Sequence, residues 1–97
     1  MTEEQQKEHF ERMQMMCRTF QSAAEKYADF QPEFIASKSI NDILQKSNTL
    51  TNEGFIEILK ILTDIDLTKH KDGSQWYDYK IHLNALLGQK GYDSNIF

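Results

Sequence analysis

From Phe10 onward the apolar residues of the chain fall at Phe10, Met13, Cys17, Phe20, Ala24 and Tyr27, in alternating steps of three and four. That spacing holds one stripe of side chains on one side of an α-helix, the seam by which a helix packs lengthwise on another. Met16, Ala23 and Phe30 widen one flank of it. Thr2 and Gln5 stand at the spacing of a capping box, in which each side chain satisfies the other's unpaired amide. The first helix is therefore predicted to run from Glu3 to Asp29, about 40 Å at 1.5 Å per residue and longer than any later segment.

Pro32 ends or kinks that helix and suits the opening turn of the next. A second helix is predicted on Phe34, Ile35, Ile40, Ile43 and Leu44, with Ser37 or Ser39 as the point where it would divide. Asn48 and Thr49 read as a turn, and Thr51 as the cap of a third helix carrying Phe55, Ile58, Leu59 and Leu62. Ile56, Ile61 and Ile65 extend its stripe so far around that this helix is expected at the centre of the fold.

Tyr77 to Asn84 alternates apolar and polar residues as a half-buried strand does. Trp76, Tyr79, Leu83, Leu86 and Leu87 match helical spacing over a longer span, with Asp72 or Ser74 as cap and Gly88 as stop. A lone strand would leave a row of unpaired backbone groups, so the segment is read as a fourth helix. The expected fold is all-α, one domain over residues 1–97, a small bundle of about four helices with a long first helix overhanging the rest. The terminal Ile96 and Phe97 are expected to dock on an apolar surface.

Composition supports this and narrows the function. Ninety-seven residues with a 39% hydrophobic share suffice for one core, while one Pro and four Gly are too few turn-makers for an all-β domain. The formal charge of −4 repels phosphate backbones, which disfavours a general nucleic-acid role. One cysteine forms no internal disulfide, the opening MTEEQQKEHF lacks a basic flank, and no apolar run approaches the roughly 18 residues of a membrane span. These features point to a cytoplasmic protein away from membranes.

Chemical motifs fail on inspection. A di-iron bundle needs Glu three residues before each ligating His, but Gln6, Leu67 and Tyr79 precede His9, His70 and His82. A calcium loop counted from Asp64 places Lys69 where Gly is required and Gln75 where Glu is required. Asp78 and His82, four apart, make a surface ion pair more readily than a metal site. Cys17 lies on the seam and reads as a small packed hydrophobe rather than a nucleophile. Neither a metal nor a cofactor is expected, and the chain is read as non-enzymatic.

The remaining signal is one of surface. MQMMCRTF, residues 13–20, sets Met13, Met16, Cys17 and Phe20 on one arc and Met15 on nearly the opposite side. A seam on a helix longer than its neighbours would leave apolar area to be covered by another chain. The expected function is a small acidic protein-binding module, of inhibitor or immunity type, forming a homo-oligomer, most simply a dimer, through its first helix. Its interface would comprise Phe10, Met13, Met15, Met16, Cys17, Phe20 and Tyr27, with Trp76 and Tyr77 as a second aromatic contact. Two alternatives carry different chemistry: a helical small-ligand or lipid-binding protein with an aromatic pocket, and a nucleic-acid-associated regulator touching anions through Lys69, His70 and Lys71.

Overall fold

The structure, a computed structural model, describes residues 2–46, 50–65 and 74–92. Four α-helices follow one another: α1 (Glu3–Lys26), α2 (Gln31–Gln45), α3 (Asn52–Thr63) and α4 (Gln75–Gln89), with a 3-10 turn at Ala28–Phe30 between the first two. No strand occurs among the described residues, and Tyr77 to Asn84 lies within α4. Asn48, Thr49, Lys69, His70, Lys71, Asp72, Ile96 and Phe97, on which expectations were placed, lie outside the described residues.

Three of the helix starts follow from local chemistry. The Thr2 hydroxyl accepts from Gln5 N at 3.2 Å while the Gln5 side chain accepts from Thr2 N at 2.9 Å, the reciprocal pair that the sequence implied. Thr51 caps α3 by accepting from Gly54 N at 3.0 Å, and Ser74 caps α4 by accepting from Tyr77 N at 3.1 Å. The fourth start uses Pro32 in the opening turn of α2, where a missing N–H costs nothing. α2 does not divide at its serines, because Ser37 Oγ donates to Phe34 O at 3.0 Å and stays inside the helix.

α1 ends at Lys26 rather than Asp29. Tyr27 turns extended, with φ −135° and ψ 116°, and residues 27–30 reverse the chain so that α2 runs back along α1. α4 also returns antiparallel to α1, pairing Phe20 with Trp76 at one end and His9 with His82 toward the other. Both neighbours therefore cover the seam of α1. Met13, Phe20 and Ala24 are buried, and Phe10 and Met16 pack against the core. α1, with 24 residues and roughly 36 Å long, is the longest helix and sets the 35 Å long axis of the molecule, while α2 and α4 have 15 residues each.

The core is completed by Ile40 and Leu44 of α2 and by Trp76, Tyr79, Leu83, Leu86 and Leu87 of α4. α1 is thus the central helix, not α3. α3 packs mainly on α2, and Ile58 is its one buried residue, while Ile56 is 51% exposed. The apolar count of α3 misled because centrality depends on which helix has neighbours on two sides, and the reversal at residues 27–30 gives that place to α1.

The C-terminal end of α4 corrects a second expectation. The helix passes through Gly88 to Gln89, and the left-handed residue is Gly91 at φ 89°. Tyr92 N donates to Leu87 O at 2.9 Å and Gly91 N to Gly88 O at 3.1 Å, the paired bonds of a Schellman stop. This turn aims Tyr92 at α3. Its hydroxyl donates to Leu50 O at 2.8 Å and lies 3.0 Å from Asn52 Oδ1, and its ring stacks on Phe55 with centroids 4.6 Å apart. Gly91→Ala is accordingly expected to lose about 1 kcal/mol through the left-handed penalty, whereas Gly88→Ala, with open space around its Cβ, gains roughly 0.5–1 kcal/mol. Urea denaturation of the two variants checks both signs, and equal losses would refute the assignment of the helix stop.

Candidate functional site

Three helices meet in a polar junction behind the site. Asn41 Nδ2 donates to Met13 O at 3.2 Å, and the Tyr79 hydroxyl donates to Asn41 Oδ1 at 2.7 Å with Ser37 O at 3.2 Å. Burial, with Cys17 adding to it, holds the Tyr79 pKa well above that of a free tyrosine, so the phenol keeps its proton. The junction fixes where Tyr79 stands, and Tyr79 in turn positions the aromatic cluster. Trp76 stacks on Tyr79 with centroids 5.2 Å apart, and Phe20 meets Trp76 at 5.8 Å and Tyr79 at 6.0 Å edge-on.

Around this cluster the surface opens into two grooves that share Phe20 and Gln75 as a common wall. The larger, about 520 Å³, is lined by Phe20, Phe30 and Trp76 together with Asp29 and Glu33. At its edge Phe30 is 37% exposed and lies 6.4 Å from the ring of Tyr27, which is 63% exposed. The smaller, about 280 Å³, runs between α1 and α4, with Met15, Met16 and Phe20 as apolar wall and Arg12, Asp78 and His82 as polar lining. One groove thus pairs aromatic rings with carboxylates, and the other pairs methionines with a mixed charge set.

The two residue groups named from the sequence, one on the first helix and one around Trp76, meet through Phe20 and Trp76. These two form the buried floor of the larger groove, at 1% and 2% exposure. Met13 is enclosed by its own chain, Phe10, Met16, Cys17 and Tyr77 are half-buried, and Met15 and Tyr27 are the two of the set that stand open. Asp29, Phe30, Glu33 and Gln75 were missed. Phe30 carried a signal, since it had been placed on the flank of the α1 seam, but only the chain reversal turns it to the mouth of the groove.

Asp78 and His82 do not make the surface pair that their spacing suggested. His82 faces across the helices instead, its Nδ1 2.8 Å from Nδ1 of His9. Desolvation first, then the nearby His9 and Arg12, lower the His82 pKa, with Asp78 opposing them. Among the described residues no group of three or more His, Cys, Asp or Glu could hold a metal ion, and no helix is long and apolar enough to cross a membrane. Comparison with known protein families, curated proteins and solved structures finds no match for this chain.

Trp76 is the single tryptophan, so its emission reports on the groove floor directly. Native fluorescence is expected well to the blue of the unfolded chain, with weak acrylamide quenching that becomes strong on denaturation. Emission already at the wavelength of solvated indole in the native protein would contradict the packing of Phe20, Trp76 and Tyr79.

Proposed function

We propose that this chain is a small acidic, non-enzymatic protein-binding module whose contact surface is the aromatic groove at the α1–α2 corner. The observation that carries the reading is the exposed pair Tyr27 and Phe30 standing at the edge of a groove floored by Phe20 and Trp76. Large rings held in water on a rigid backbone turn are costly unless another surface covers them, and Tyr and Trp dominate the energetics of such contacts. The exposed Asp29 beside the rings favours a partner segment with an apolar anchor next to a Lys or Arg side chain.

Self-association is served by this corner rather than by the α1 seam, whose central residues Met13 and Phe20 are already engaged by α2 and α4. A small-ligand reading draws on the volume of the same groove, which falls within the range of ligand sites. Native mass spectrometry separates it from the protein-binding reading by the presence of a bound small molecule.

A photo-crosslinking residue at position 27 or 30, introduced in the cells that make the protein, is expected to capture a protein adduct, while the same residue at the exposed Ile56 is not. An adduct of twice the monomer mass assigns the contact to a second copy. The double substitution Tyr27→Ser with Phe30→Ser is expected to weaken the captured interaction about 10- to 100-fold with little change in the unfolding midpoint. Equal labelling at all three positions, or none at 27 and 30, rules the corner out as an interface.

A further inference from the structure

His9 on α1 and His82 on α4, 73 positions apart in sequence, meet with their Nδ1 atoms 2.8 Å apart and ring centroids 5.1 Å apart. Two imidazole nitrogens at this separation cannot both be bare, since their lone pairs would oppose one another. Nor can both carry a proton, since the two N–H bonds would collide. One N–H must point at one bare nitrogen. The pair therefore has two states that keep the bond, both rings neutral or one ring cationic, and a third, the double cation, that breaks it.

The surroundings sharpen this restriction. Arg12, one turn along α1 from His9, adds a positive charge beside His82, and Asp78, one turn back along α4, adds a negative one. These and His9 are the charges that act on His82 among the described residues. Both rings are half-buried, so a second cation is poorly hydrated where it forms. The pair is nonetheless at the edge of the core, where protons reach it without unfolding the bundle. His82 also lines the methionine groove together with Arg12, Met15 and Met16, so separation of the two rings loosens one wall of that groove.

We propose that His9 and His82 form a proton-sensitive latch across the α1–α4 seam, closed while they share a single N–H···N bond and opened by uptake of a second proton. The latch is independent of the docking corner, since it stands on the contact between two helices and not on any partner.

The direction of the pH dependence follows from the same groups. A histidine that protonates less readily folded than unfolded stabilises the fold fully above the unfolded value, about 6.5, and loses that contribution as pH falls below it toward the lower folded value. Through that window each extra proton bound by the unfolded chain raises the unfolding constant by up to tenfold per pH unit. Carboxylates contribute at lower pH in every variant alike, so the comparison is between the native protein and His9→Gln. Glutamine removes the charge that a second imidazole would bring and offers an acceptor to His82, while burial of His82 is unchanged, so the loss of stability as pH falls below about 6.5 is expected to shrink.

Nitrogen-15 NMR of histidine-labelled native protein supplies a test that needs no substitution. At neutral pH a scalar coupling between the two Nδ1 nuclei is expected, disappearing on acidification together with hydrogen-exchange protection in α1 and α4. His82 titrating near 6.5 with no such coupling at any pH would overturn the latch. So would a native protein and His9→Gln with identical dependence of stability on pH.

Discussion

The bundle turns on one buried hydrogen-bonded chain, from the Tyr79 hydroxyl through the Asn41 amide to the carbonyl of Met13. It contains one side chain from α4, one from α2 and the backbone of α1, and it adjoins the apolar core residues Met13, Ile40 and Leu83. Apolar packing alone is tolerant of sliding, because one methyl replaces another at similar cost. A buried amide is not tolerant. Moving any of the three helices by a turn strands Asn41 or Tyr79 without a partner at about 1–3 kcal/mol per group, so the junction selects one register from several that the apolar stripes would permit. The amide orientation is determined in the same way, since its oxygen must face the tyrosine and its nitrogen the carbonyl.

Much of the fold was legible in the sequence because helix starts are written locally. Thr2 with Gln5, Thr51 and Ser74 cap their helices through atoms within three residues of each other, and Pro32 occupies the opening turn of α2 for an equally local reason. Helix ends were less legible. Gly88 and Gly91 are equivalent as letters, and the choice between them depends on where Tyr92 finds Leu50 and Phe55, contacts some 40 residues back in the chain. The placing of α3 failed for a similar reason. Its isoleucines and leucines announce a helix that wants burial without saying how much of that burial α2 supplies.

The candidate site divides along the same line. Phe20, Tyr27 and Trp76 could be singled out by residue type, and Met15 by its position off the seam. Their relation could not, because the meeting of Phe20 with Trp76 requires α4 to return antiparallel along α1. His9 and His82 are both visible in the sequence, but their near neighbours there point to Asp78 as the partner of His82. No short-range pattern encodes a contact spanning 73 positions. The side chains that carry surface chemistry here are brought together by the antiparallel return of α4 along α1 and by the reversal at residues 27–30, which itself supplies Tyr27, Asp29 and Phe30.

The attachment of α3 has a consequence for how the molecule breathes. α1, α2 and α4 are cross-tied through the Asn41 junction, whereas among the described residues α3 packs mainly on α2 and is tied to the far end of α4 by Tyr92. Releasing the Tyr92 ring from Phe55 and lifting Ile58 would detach that segment and leave the other three helices standing. Among the described residues stability is therefore expected to be graded: residues 50–65 should open below the global transition, and the apolar residues so uncovered would expose this segment to proteolysis and aggregation.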